Sequence, residues 1–153
     1  LYLGKEVPLM LVAPQRPALT FNGGRFRLGR SALPKARQAF LRWYREQARI
    51  VISERVALLG SKNKFTWQKI RISSARTRWG SCSSNGTLSF PWRLVLAPPE
   101  VIDYVVVHEL VHTRIRDHSP KFWRRVAEIM PEYKRCVSWL KKNGHLLTLG
   151  EEP

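Results

Sequence analysis

Apolar and polar positions change rhythm several times along this chain. Through the first 28 residues the apolar positions come in short runs: Leu1-Tyr2-Leu3, Val7 to Val12, Leu19-Thr20-Phe21 and Arg25 to Leu28, broken by Gly4-Lys5-Glu6 and Asn22-Gly23-Gly24. Runs of this length read as strands, and Asn-Gly supplies the positive φ that a tight hairpin needs. The spacing then lengthens. Ala36, Phe40, Trp43, Tyr44, Val51 and Leu58 recur as one helical stripe, with Arg37, Arg42, Arg45 and Arg49 facing outward. This predicts a long helix that starts near Ser31 to Pro34 and runs to about Leu59, where Gly60 stops it. After a basic loop, Trp67 to Ile72 alternates as a strand does. Thr77 to Ser83 and Thr87 to Phe90 flank a second Asn-Gly turn, and Pro91 predicts that the latter strand lies at a sheet edge.

Pro98-Pro99-Glu100 opens a helix predicted to run to about Ile115, with apolar residues nearly all round it: Val101, Ile102, Val105, Val106, Val107, Leu110 and Val111. Such a helix is buried. Ser119-Pro120 joins a good N-cap to a good first-turn residue, and Phe122, Trp123, Val126 and Ile129 form one stripe of the next helix. Pro131 begins a last helix that ends at Asn143-Gly144. The expected architecture is therefore α+β: a single compact domain over residues 1–153 with N-terminal hairpins, a long helix, a small antiparallel sheet, a buried helix and two C-terminal helices.

The length of 153 residues and the 44% apolar content suit one core of this kind. The longest oily run, Val101 to Val107, contains Asp103 and ends in His108-Glu109, so no membrane span is expected. Cys82 and Cys136 lack the paired spacing of a metal knuckle or redox motif, and a reducing, cytoplasmic setting is the simplest reading. Lys and Arg number 27 against 11 Asp and Glu, a net +16 that attracts polyanions over a wide surface. That charge admits nucleic acid, an acidic membrane surface or a phosphorylated small molecule as a partner, or a solvated surface with no partner.

The buried helix carries His108-Glu109-Leu110-Val111-His112. Residues four apart on a helix share a face, with Cβ atoms about 5–6 Å apart, and two imidazoles so placed can bind one zinc at about 2.0–2.1 Å each. Glu109 falls beside the metal rather than on it, where it can act as base toward a zinc-bound water. His118, six residues beyond His112, is the candidate third ligand. The spacing matches HExxHxxGxxH except that Ile115 stands in place of the glycine, so the backbone must leave the helix differently, through Arg116 and Asp117. Core histidines bonded to backbone, or a closed structural zinc site, are the alternatives to an open catalytic one.

The segments Arg78-Trp79-Gly80-Ser81-Cys82-Ser83, Trp92-Arg93-Leu94, Ala97-Pro98-Pro99-Glu100, the HELVH run and His118-Ser119-Pro120-Lys121-Phe122-Trp123 resemble the YgjP-like metallopeptidase family, a relative of the SprT-like zincins. The similarity covers most of the chain, including the Trp43-Tyr44 helix and the ending Trp139 to Gly144. It implies a compact α+β zincin-like fold, zinc held by His108, His112 and His118, and Glu109 as the catalytic base. The leading function is thus a zinc metallopeptidase, whose peptide or protein substrate would lie along the Thr87 to Phe90 strand. A metal-dependent nucleotide phosphohydrolase, or a nucleic-acid-associated module with structural zinc, are the competing readings. Phosphoryl chemistry favours carboxylate-rich two-metal sites, and Asp103 and Asp117 are the chain's only aspartates. Arg78 and Trp79 could form part of a substrate wall, but a solvated residue beside a core one is the favoured reading; Met130 could sit beneath the metal, but core filling is favoured; His145 reads as a surface residue.

Overall fold

The computed structural model describes residues 1–150. Strands β1 (Leu9–Val12), β2 (Leu19–Asn22) and β3 (Arg25–Gly29) form a first sheet in the order β1-β3-β2. The β2–β3 hairpin turns on Gly23 and Gly24, whose φ values of 59° and 74° make a two-residue loop that a side chain would strain. The positive φ thus falls on the two glycines rather than on Asn22. β1 does not form a hairpin with its neighbour; it runs parallel to β3.

A 3-10 turn at Arg30–Lys35 leads into helix α1 (Ala36–Lys62). Its buried residues are Tyr44, Ala48, Ile52, Val56 and Gly60, a strict every-fourth row of the kind that packs across other elements as a ridge. Phe40, Trp43 and Val51 flank that row, whereas Leu58 is 54% exposed and does not belong to it. Gly60 does not stop the helix. A Cβ there would lie 2.4 Å from the Trp67 ring, so the glycine makes room for the indole and the helix continues to Lys62.

Strands β4 (Lys69–Ser73), β5 (Ser81–Cys82) and β6 (Thr87–Pro91) form the second sheet, ordered β4-β6-β5. It is mixed rather than antiparallel, since β4 runs parallel to β6 and only β5 antiparallel. The Thr87 to Phe90 strand expected at the edge is central. Pro91 is its last residue, where a missing N–H costs the ladder little, and the edge next to α2 is the two-residue β5.

A buried 3-10 turn at Trp92–Leu96 feeds helix α2 (Pro99–His112), followed by α3 (Pro120–Ile129) and α4 (Tyr133–Asn143). Helix α2 packs on α1, α3, α4 and β5, which is why its surface is apolar on nearly every side. Its one aspartate, Asp103, receives both the Nε and an Nη of Arg55 at 2.7 and 2.8 Å, a forked ion pair that ties α1 to α2. Helix α2 ends at His112, short of Ile115, and α3 begins as expected: the Ser119 hydroxyl accepts from the Phe122 amide and Pro120 takes the first turn. Helix α4 starts two residues after Pro131. Among the described residues no helix is long and apolar enough to cross a membrane.

Candidate metal centre

Helical spacing puts His108 and His112 on successive turns of α2, and the short connection before the Ser119 cap returns His118 to the same point. The Nε2 atom of His118 lies 3.0 Å from that of His112 and 3.2 Å from that of His108. Phe122, fully buried, floors the three rings: the His112 ring stacks on it at 4.4 Å, and those of His108 and His118 meet it edge-on. Met130 is partly buried and packs against the core.

The outer nitrogens explain why the inner ones converge. Nδ1 of His112 donates to the Ile115 carbonyl at 2.9 Å, which leaves its Nε2 a bare lone pair. The turn that replaces the missing glycine therefore supplies an acceptor for the second histidine. Nδ1 of His108 lies 3.3 Å from the Tyr104 hydroxyl, one turn earlier on α2. Lone pairs gathered this closely repel unless they share a cation, and nitrogen ligands at tetrahedral angles around zinc stand about 3.3–3.4 Å apart. The donor set fits such an ion, and these three histidines could hold it. Burial, aided by the charges of His112 and His118, takes the His108 pKa down to about 4, so the ring is neutral across the ordinary pH range. Burial lowers that of His112 as well.

Glu109 is 5% exposed and lies in the same cleft, a space of about 240 Å³ that also takes in Gly80, Ser81, Cys82 and Arg116. Burial pushes its carboxyl up to about 7, against the pull of Arg116 and Arg78. Its carboxylate rests on the backbone before β5: a Cβ at Gly80 would lie 2.8 Å from Oε2. Arg116 fixes the other side. Its guanidinium donates to the carbonyls of Cys82 at 2.8 Å, Ser83 at 3.1 Å and His112 at 3.2 Å, binding the end of α2 to the edge strand. Cys82 lines the cleft without joining the converging ligand atoms, and both cysteines are free.

Tyr104, Gly80 and Arg116 are contributors that sequence reasoning missed. Tyr104 had a signal, since it precedes His108 by one helical turn; the other two act through contacts that no local spacing announces. Trp79 packs against the core as expected, beside Gly144. His145 is exposed and lines a different cleft with Arg76, Trp79 and Arg93.

This fold is shared in part with solved metallopeptidases. Two crystal structures match it over 60% of this chain, both of metallopeptidase zymogens. Abylysin of Pyrococcus abyssi is 21% identical, with 93% of its chain covered and a TM-score of 0.53. Jannalysin of Methanocaldococcus jannaschii is 20% identical, with 88% covered and the same TM-score of 0.53. No curated protein matches the sequence. The chain itself belongs to the YgjP-like family: residues 1–143 match the YgjP-like metallopeptidase domain.

Proposed function

We propose that the protein is a single-domain zinc metallopeptidase in which His108, His112 and His118 are the metal ligands and Glu109 is the general base. The observation that carries the reading is the convergence of three Nε2 atoms beside one buried carboxylate, at the open edge of a sheet. Zinc in that position would supply a Lewis acid that polarises a carbonyl and acidifies water. The chain's own groups do the rest. Glu109 takes a proton from the attacking water on its carboxylate and returns it to the departing amine. The Ile115 carbonyl holds the His112 imidazole in the tautomer that leaves Nε2 free, and the Tyr104 hydroxyl lies 3.3 Å from Nδ1 of His108.

The substrate strand belongs on β5 rather than on the Thr87 to Phe90 strand, because β6 is covered on both sides. The Ser83 amide bonds to the Thr87 carbonyl, so by the two-residue repeat of the antiparallel ladder Ser81 also turns inward, while Gly80 and Cys82 present backbone groups outward. An extended peptide can pair with the backbone of Gly80 and with the Cys82 amide, next to Glu109, since Arg116 already holds the Cys82 carbonyl. The free thiols of Cys82 and Cys136 fit a reducing, cytoplasmic setting.

The test compares zinc-loaded wild type with Glu109→Gln on an unfolded protein, a nucleoside triphosphate and DNA. We expect proteolysis by the wild type, abolished by chelation, and a loss of about 10²–10⁴-fold in the variant at unchanged zinc content. His118→Ala should lose zinc. Hydrolysis of the nucleotide alone, or full activity in Glu109→Gln, overturns the assignment.

A further inference from the structure

The face of the second sheet turned away from the core is a polar recess of about 630 Å³ that shares Ser81 and Cys82 with the histidine cleft. Strand register makes it so. Lys69 pairs with Thr87, and Arg71 with Ser89, which in turn pairs with Ser81, so these side chains stand on one face while Ile70, Leu88 and Phe90 fill the other. Arg78 lines the same recess, and its charge reaches Glu109, so the recess and the candidate catalytic cleft lie within electrostatic range of each other.

No carboxylate lines this recess. Lys69, Arg71 and Arg78 make no hydrogen bond or ion pair among the described residues, whereas Arg49, Arg55 and Arg125 are each bonded to an acidic side chain. Two unpaired cations, and a third that also feels Glu109 in the adjoining cleft, stand among serine and threonine hydroxyls and form a concave surface complementary to negative charge.

We propose that this recess selects acidic side chains of the substrate. The proposal rests on the peptidase reading above, and on strand geometry for its detail. A peptide paired with β5 sends alternate side chains to opposite faces of the sheet. The residue opposite Ser81, and those two positions to either side of it, face Lys69, Arg71 and Arg78; the intervening residues face the histidines. Acidic residues are therefore favoured at every second position, and in one of the two phases only.

Zinc-loaded protein is assayed on quenched fluorescent peptides that carry Glu, Gln or Lys at alternate positions, in both phases. In one phase Glu raises kcat/KM over Gln roughly tenfold, the scale that two exposed charge pairs supply, and Lys lowers it. The Lys69→Glu/Arg71→Glu double variant inverts that order, while Arg124→Glu, on the exposed side of α3, leaves the ratio unchanged. Equal kcat/KM for Glu, Gln and Lys, or a Glu preference that survives the double variant, overturns the proposal. If no peptide is cleaved at all, the peptidase reading fails on its own, and fluorescence anisotropy of the labelled Glu peptide then decides the recess. Binding that the double variant abolishes sustains it. Absence of binding, or binding of a DNA oligonucleotide in its place, overturns it.

Discussion

In both sheets the central strand comes last in sequence, the first strand runs parallel to it, and the second returns antiparallel through a glycine-bearing turn. The first sheet uses that plan for packing. Phe26 on its central strand meets Phe21, Phe40 and Trp43 with ring centroids about 5 Å apart, and its glycine loop points into open space. The second sheet cuts its edge strand to two residues and brings the preceding glycine against Glu109. Equal topology thus gives a structural wall in one place and a proposed substrate edge in the other. The difference lies in what the edge strand touches.

The largest effect that would sharpen this contrast is on stability alone. Phe26→Ala should cost about 3–5 kcal/mol, read from the denaturant midpoint, with zinc content and the specific activity of the folded protein unchanged. Lost activity without lost stability would tie the first sheet to the site.

Next comes pH. Because burial raises the Glu109 pKa from 4.5 to about 7, the folded protein keeps a proton that the unfolded chain gives up. That contribution is complete below the unfolded value and is lost as pH rises through about 7. Chelated wild type should therefore lose on the order of 2 kcal/mol relative to chelated Glu109→Gln between acid and mildly alkaline solution. The histidines are common to both proteins and cancel. Parallel stability curves would show that the carboxyl is not held in its protonated form.

The smallest effects separate the two glycines. Gly80→Ala puts a methyl 2.8 Å from Oε2 and should lower kcat by about tenfold at full metal content, through displacement of the carboxylate. Gly24→Ala meets nothing within 4 Å but sits at φ 74°, so it should cost about 1 kcal/mol of stability and no activity. Equal behaviour of the two variants would erase the distinction between the sheets.

What the sequence made legible was local in origin. The four-residue spacing of His108 and His112, the Ser119-Pro120 cap and the all-round apolar pattern of α2 each express one element's own geometry, and each is found as expected. The place of β6 at the centre was hidden because Pro91 was read as barring a central position, whereas it ends the strand instead. Gly60 looks like a stop until Trp67 is seen to fill the space above it, and Leu58 fits a helical stripe that tertiary contacts shift onto Ala48, Ile52 and Val56. Gly80 and Glu109 are 29 residues apart in the chain and meet only once the sheet packs on α2.

The grip of Arg116 on the Cys82 carbonyl bears on self-association. An uncovered strand edge is a template on which further copies of a chain can add and grow into fibres. Here the exposed stretch is two residues long and one of its outward carbonyls is already taken by a guanidinium, which leaves too few groups to start a growing ladder. The same arginine that joins helix to strand thus shortens the edge on which a second copy could add.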